Sequence, residues 1–204
     1  YNTTGAYNVA VGKGAMTNTT TAANNTAVGY SALGANTTGG TNVAVGVNAL
    51  NKNTEGANNV AVGVLALCTN TTGDCNTAIG HCALKVNTTG VQNTAVGGFA
   101  LDSNTTANNN TAVGFCALTT TTVGFDNAAF GRASLCLLTD GDYNTAIGAG
   151  SMAKTTTGLR NTAVGNNSLI CNTTGTANTA VGGTDDGTLP VMWKNTTGTC
   201  NSAF

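Results

Sequence analysis

The groups able to do chemistry in this chain are few: one histidine, His81, seven cysteines, eight carboxylates and seven lysines and arginines among 204 residues. His81 has no serine or carboxylate at a repeated spacing that would make it a general base beside a nucleophile. The nearest approach to a metal-ligand spacing is Cys75-x5-His81-Cys82, which matches no zinc pattern. The glycines follow one regular period and form no phosphate-cradling loop. These readings point away from an enzyme and imply no catalytic residue, metal or other cofactor.

Cysteines in so polar a chain suggest an oxidising, extracellular setting. Cys68 and Cys75 flank Asn70-Thr71-Thr72-Gly73 and are a candidate disulfide across that turn. Cys82 and Cys116 fall two repeats apart, about 9.6 Å at roughly 4.8 Å per coil, beyond the reach of a disulfide. Cys136 and Cys171 are likewise two repeats apart and need a distortion or a partner chain, and Cys200 has no evident mate. Free thiols acting as small apolar residues are the alternative for these positions. Eleven N-x-[ST] sequons occur, and those of the recurring corner motif, Asn36, Asn70, Asn87, Asn104 and Asn172, are candidate glycosylation sites if the chain passes through a eukaryotic secretory route. In a bacterium or phage the same residues are turn asparagines.

What positions these residues is a repeat. Asparagine recurs every 17 residues from Asn8 to Asn178, each time opening a core such as Asn25-Thr26-Ala27-Val28-Gly29. With that asparagine as position 1, the unit reads N-[TV]-A-[VI]-G-x-x-A-L-x-x-N-T-T-G-x-x. Glycine at positions 5 and 15 leaves no room for a helix of ten residues or more. The period and the short β-branched core predict an all-β fold, a parallel β-solenoid or β-roll of about twelve 17-residue coils and roughly 55–60 Å in length. The chain reads as one domain over residues 1–204, with regular coils over 8–177, a coil carrying a six-residue insertion over 178–200, and incomplete coils at both ends.

Two columns are expected to form the core: position 4, with Val28, Val45, Val62, Ile79 and Val96, and position 9, with Leu33, Leu50, Leu67, Leu84 and Leu101. Alternation along a strand would then turn the position-3 alanines the other way. Asn25, Asn42, Asn59, Asn76, Asn93 and Asn110 predict a ladder of stacked amides along the axis. No charge occupies positions 1 to 5 or 7 to 9 of a regular repeat, which marks those columns as packed. The insertion holds Asp185, Asp186, the one proline and, near its end, the one tryptophan, Trp193; it is a candidate contact loop or a cover over the core.

The segments Asn25–Leu33, NTAVGYSAL, and Asn42–Leu50, NVAVGVNAL, resemble the SVAIG-type head repeats of trimeric autotransporter adhesins and are similar to repeats of phage and virus tail fibres. The similarity runs over residues 8–182. It implies a left-handed β-roll, association of three chains and a surface that binds host matrix or cells.

A charged fraction of 7% and a net charge of −1 exclude a nucleic-acid surface, and no run of 18 apolar residues spans a membrane. The function expected is a structural fibre or shaft, outside the cell, on its surface or on a virion, built by head-to-tail coil stacking or as a homotrimer, with a possible adhesive role toward a host glycan or protein. The sequence starts and stops in mid-repeat, so either the gene product continues or neighbouring subunits complete each other's coils. The alternative is an ice-binding solenoid using the threonine pairs at positions 13 and 14, such as Thr37 and Thr38, Thr71 and Thr72, and Thr88 and Thr89.

Overall fold

A computed structural model describes residues 3–183 and 189–204, and within them there is no helix. Twelve short strands form one sheet in strict chain order: β1 (Val9–Val11), β2 (Thr26–Val28), β3 (Val43–Val45), β4 (Val60–Val62), β5 (Thr77–Ile79), β6 (Thr94–Val96), β7 (Thr111–Val113), β8 (Ala128–Phe130), β9 (Thr145–Ile147), β10 (Thr162–Val164), β11 (Thr179–Val181) and β12 (Ser202–Ala203). Each strand pairs in parallel with the next, like residue on like: Val28 faces Val45 and Val45 faces Val62. The chain is a β-solenoid, as the period requires. The insertion is absorbed within one coil, because Asn201 still bonds Asn178 although 23 residues separate them.

The strands begin beside the position-1 asparagine and end at the position-5 glycine, which has φ between 126° and 138°. A side chain there would also collide with the next coil: a Cβ on Gly63 would lie 2.7 Å from the Gly80 carbonyl carbon. The position-15 glycine serves close approach instead, since a Cβ on Gly56 would sit 2.6 Å from Gly73 O. The remaining corners are turned by non-glycine residues with left-handed backbones, among them Leu50 (φ 50°), Leu65 (φ 60°) and Asn58 (φ 58°) at positions 9, 7 and 17. A left-handed leucine costs about 1 kcal/mol or more. Full burial of that leucine, on the order of 1.5–3 kcal/mol, offsets it.

The core differs from the sequence expectation in one column. Leu33, Leu50, Leu67, Leu84 and Leu101 are fully buried, as position 9 predicts. The position-4 residues point outward: Val28, Val45 and Val62 are each 36% exposed, Ile79 is 40% exposed and Val96 is half-buried. The inward strand residue is the position-3 alanine, and Ala27, Ala44, Ala61, Ala78 and Ala95 have no exposed surface. The cause is space. One coil holds the strand wall and, against it, the Ala-Leu pair of positions 8 and 9; with leucine filling the centre, only a methyl group fits opposite. Valine and isoleucine at position 4 then reflect the preference of branched side chains for an extended strand, without burial.

Ala61→Leu should therefore destabilise the folded chain by about 1–3 kcal/mol through overpacking. Val62→Thr on the adjacent outward site should stay within about 0.5 kcal/mol. Denaturant unfolding of both variants checks this, and a larger loss for the valine substitution would restore position 4 to the core.

Candidate functional site

The position-1 amides form the expected ladder. Asn42 donates its backbone N–H to Asn25 Oδ1 at 2.8 Å and its Nδ2 to Gly56 O at 2.8 Å. Asn59, Asn76, Asn93 and Asn110 repeat the backbone bond at 2.9–3.0 Å, and all of these residues are fully buried. Donor and acceptor are both engaged, so this array offers no ligand a free amide.

A second ladder runs along position 12, on the residues that carry the sequons. Asn53 Nδ2 donates to Asn36 Oδ1 at 2.9 Å, and Asn70, Asn87 and Asn104 each continue it at 2.8 Å while also bonding the carbonyl at position 15 of their own coil. Asn36, Asn70, Asn87, Asn104 and Asn172 have no exposed surface. This corrects their reading as glycan carriers: the nitrogen that would bear the sugar faces the interior and holds the corner together. The sequence did show the ladder, as N-T-T-G recurring in one column. It breaks where Thr121, Leu138 and Thr155 replace asparagine, and Asn104 Oδ1, which faces Thr121, is buried without a hydrogen-bond partner; it resumes at Asn172, whose Nδ2 reaches Thr155 Oγ1 at 3.4 Å and whose Oδ1 is unpartnered on the side of the following, longer coil.

All seven cysteines are free thiols. Cys68 and Cys75 are not bridged: Cys75 is exposed with its N–H bonded to Ala57 O at 3.0 Å, whereas Cys68 shares its surroundings with Lys52, Lys85 and Cys82. Burial pushes the Cys68, Cys82 and Cys136 thiols above their ordinary range.

One mixed cluster forms that spacing alone did not show. His81 Nε2 lies 3.6 Å from Cys82 Sγ, and the imidazole meets Phe99 edge to face with centroids 5.1 Å apart. Phe99 in turn meets Phe115 at 5.9 Å. Asp102, one coil on, is influenced by Lys85 and His81, yet burial dominates and lifts its carboxyl above the usual range. Its Oδ1 is buried without a hydrogen-bond partner. The cluster is poorly suited to nucleophilic catalysis, because Cys82 is 3% exposed and its thiol is held protonated by desolvation. Among the described residues no three histidine, cysteine or carboxylate side chains converge as a metal site.

The surface that is uniform along the axis is the outward face of the sheet. Its position-4 column, from Val11 through Phe130 and Ile147 to Val181, is exposed or half-buried at every strand, and no charge interrupts positions 2 and 4. Position 6 extends it with Tyr30, Val47, Val64 and Phe115, each exposed. The corner threonines are a poorer face. Thr37, Thr71 and Thr88 donate their hydroxyls to the Thr54, Thr88 and Thr105 carbonyls at 2.9–3.0 Å, leaving only Thr38, Thr72 and Thr89 exposed.

Of the proposed contact loop, Asp185 and Asp186 lie outside the described residues. Trp193 belongs to the resumed coil. Val191 O accepts the Leu169 N–H at 3.0 Å, Met192 packs against the core with φ 56° in the place of the usual leucine, and Lys194 Nζ lies 5.1 Å from the half-buried indole.

Asn76→Ala should cost about 2 kcal/mol in denaturant unfolding, since it strands the buried Asn93 N–H and leaves the Gly90 carbonyl with only its bond from Asn87. For Asp102, the folded carboxyl binds its proton more tightly than the unfolded one with its pKa of 3.8, so stability falls as pH rises through the window above that value. Asp102→Asn should then melt above the parent at neutral pH and level with it near pH 3, a region below both carboxyl pKa values. An offset independent of pH would rule out the carboxylate as its source.

Compared with family models, curated proteins and solved structures, the chain gives no significant match.

Proposed function

We propose that this chain is a structural module of an extracellular fibre or surface shaft that works by associating with copies of itself. The observation that carries this reading is the outward sheet face: a column of Val, Ile and Phe running from β1 to β11 without a charge. An apolar stripe of that length is unusual on a lone soluble protein and is a natural interface. A second copy is the partner that fits best, because equal residues stand at equal heights along the axis and two such faces interlock at any coil step. The resemblance to trimeric adhesin heads favours three chains around this face. End-to-end stacking of edge strands is the second arrangement open to a solenoid.

Adhesion to a host glycan or protein would be read by the columns that vary. Tyr143, flanked by Phe125 at 5.3 Å and by the Arg160 guanidinium at 5.7 Å, is one such group. Ice binding is the weaker alternative, since one hydroxyl of each corner threonine pair is committed within the fold and the flat face presents β-branched carbons beside its half-buried threonines.

Sedimentation of the chain should give a mass above that of one copy. The double variant Val45→Lys and Val62→Lys should reduce it to a monomer with an unchanged circular dichroism spectrum. Undiminished association in the variant would move the interface off this face, and a monomeric parent at all concentrations would defeat the self-assembly reading.

A further inference from the structure

Five of the seven cysteines fall at positions 7, 10 and 11, on one strip of the solenoid. Within that strip we propose that Cys116 and Cys136 form a disulfide linking two adjacent coils when the protein meets an oxidant.

The pair stands at position 7 of one coil and position 10 of the next, 20 residues apart, and the same relation recurs elsewhere with measurable contacts. Asn51 Nδ2 lies 2.8 Å from Ser31 O at that 20-residue separation. A Cβ placed on Gly34 would lie 3.5 Å from Gly14 O, again position 10 against position 7 of the coil before. Ordinary covalent lengths cap the Cα separation of such a pair at about 7.4 Å for a fully extended path, so a bent path brings it within the disulfide range of about 4.4–6.8 Å. The side chains also share a surface: a Cβ on Gly14 would lie 3.7 Å from Thr17 Oγ1, which joins positions 7 and 10 within one coil. Cys116 and Cys136 are both half-buried, so their side chains can turn. Cys136 Sγ points to Ala153 O at 3.4 Å and must rotate toward the preceding coil to meet its partner.

A second, independent observation concerns where the link would fall. The coils that carry Cys116 and Cys136 are the two in which Thr121 and Leu138 replace the asparagine of the second ladder, just past the unpartnered Asn104 Oδ1. A covalent bond between these coils would hold the stack where its amide bonds stop.

The step needs a disulfide oxidant such as oxidised glutathione. The thiolate of one cysteine attacks it, releasing one glutathione thiol and leaving a mixed disulfide. The second cysteine thiolate then displaces the other glutathione, so two electrons and two protons pass from the protein to the oxidant.

The test is to equilibrate the full chain with oxidised glutathione at about pH 8, near the ordinary thiol pKa, block remaining thiols by alkylation and map the digested peptides by mass spectrometry. The expected result is a peptide pair joining Cys116 to Cys136, two hydrogens lighter than its parts and released by dithiothreitol, with a thermal midpoint several degrees above the reduced chain. Cys116→Ser should abolish both the link and the gain. It should fold, because serine already occupies position 7 at Ser31. Alkylation of both residues after equilibration, or their recovery only in other linkages, would overturn the proposal.

Discussion

From Asn25 to Asn178, every coil closes on a buried amide. The asparagine at position 1 takes the backbone N–H of the next coil's asparagine on its Oδ1 and gives its Nδ2 to the carbonyl at position 15 of its own coil. That pair of bonds fixes two lengths at once, the rise between coils and the circumference of each. A coil of one residue more or less would bring the wrong group to the amide and leave a buried donor or acceptor unpaired, at about 1–3 kcal/mol each. The tolerated exception is informative: the longer coil returns to the same bond, with Asn201 on Asn178, and keeps its six additional residues before the Val191-Met192 pair.

Within that closure the interior is narrow, and its narrowness explains the distribution of residue types. Leucine or methionine at position 9 occupies the centre with a left-handed backbone, alanine at position 3 lines it in every coil, and position 8 holds alanine in most coils, the exceptions being Ser134, Ser151, Ser168 and, in the longer coil, Val191. The branched residues are therefore displaced to the outside. An apolar face follows from the geometry of a thin coil combined with a strand sequence that favours Val and Ile, and the proposed association rests on this by-product.

The period, the strand, the absence of helices, the glycine corners and the position-1 ladder were all legible in the residues, because each depends only on which types recur and how far apart. The phase of the strand was not. Valine in a strand ordinarily signals burial, which on pattern alone places Val62 inside; the better cue is Ala61, in a column where alanine has no substitute in any coil. The sequons misled for a related reason, since Asn70 satisfies a glycosylation pattern and a ladder equally well and only its burial separates them. The neighbourhood of His81, Cys82 and Asp102 was hidden because it depends on the turn through positions 6 to 11, where left-handed residues such as Cys82 and Leu84 bring distant columns side by side.

The near-identity of successive coils has a mechanical consequence. With each coil held by the same two amide bonds and the same strand pairing, a load along the axis meets no uniquely strong element, and the chain lengthens one coil at a time. Each release of 17 residues adds about 55–60 Å of contour length. A stack of this kind would yield in equal increments instead of snapping, beginning at the coils around Leu138, where one of the two amide ladders is missing.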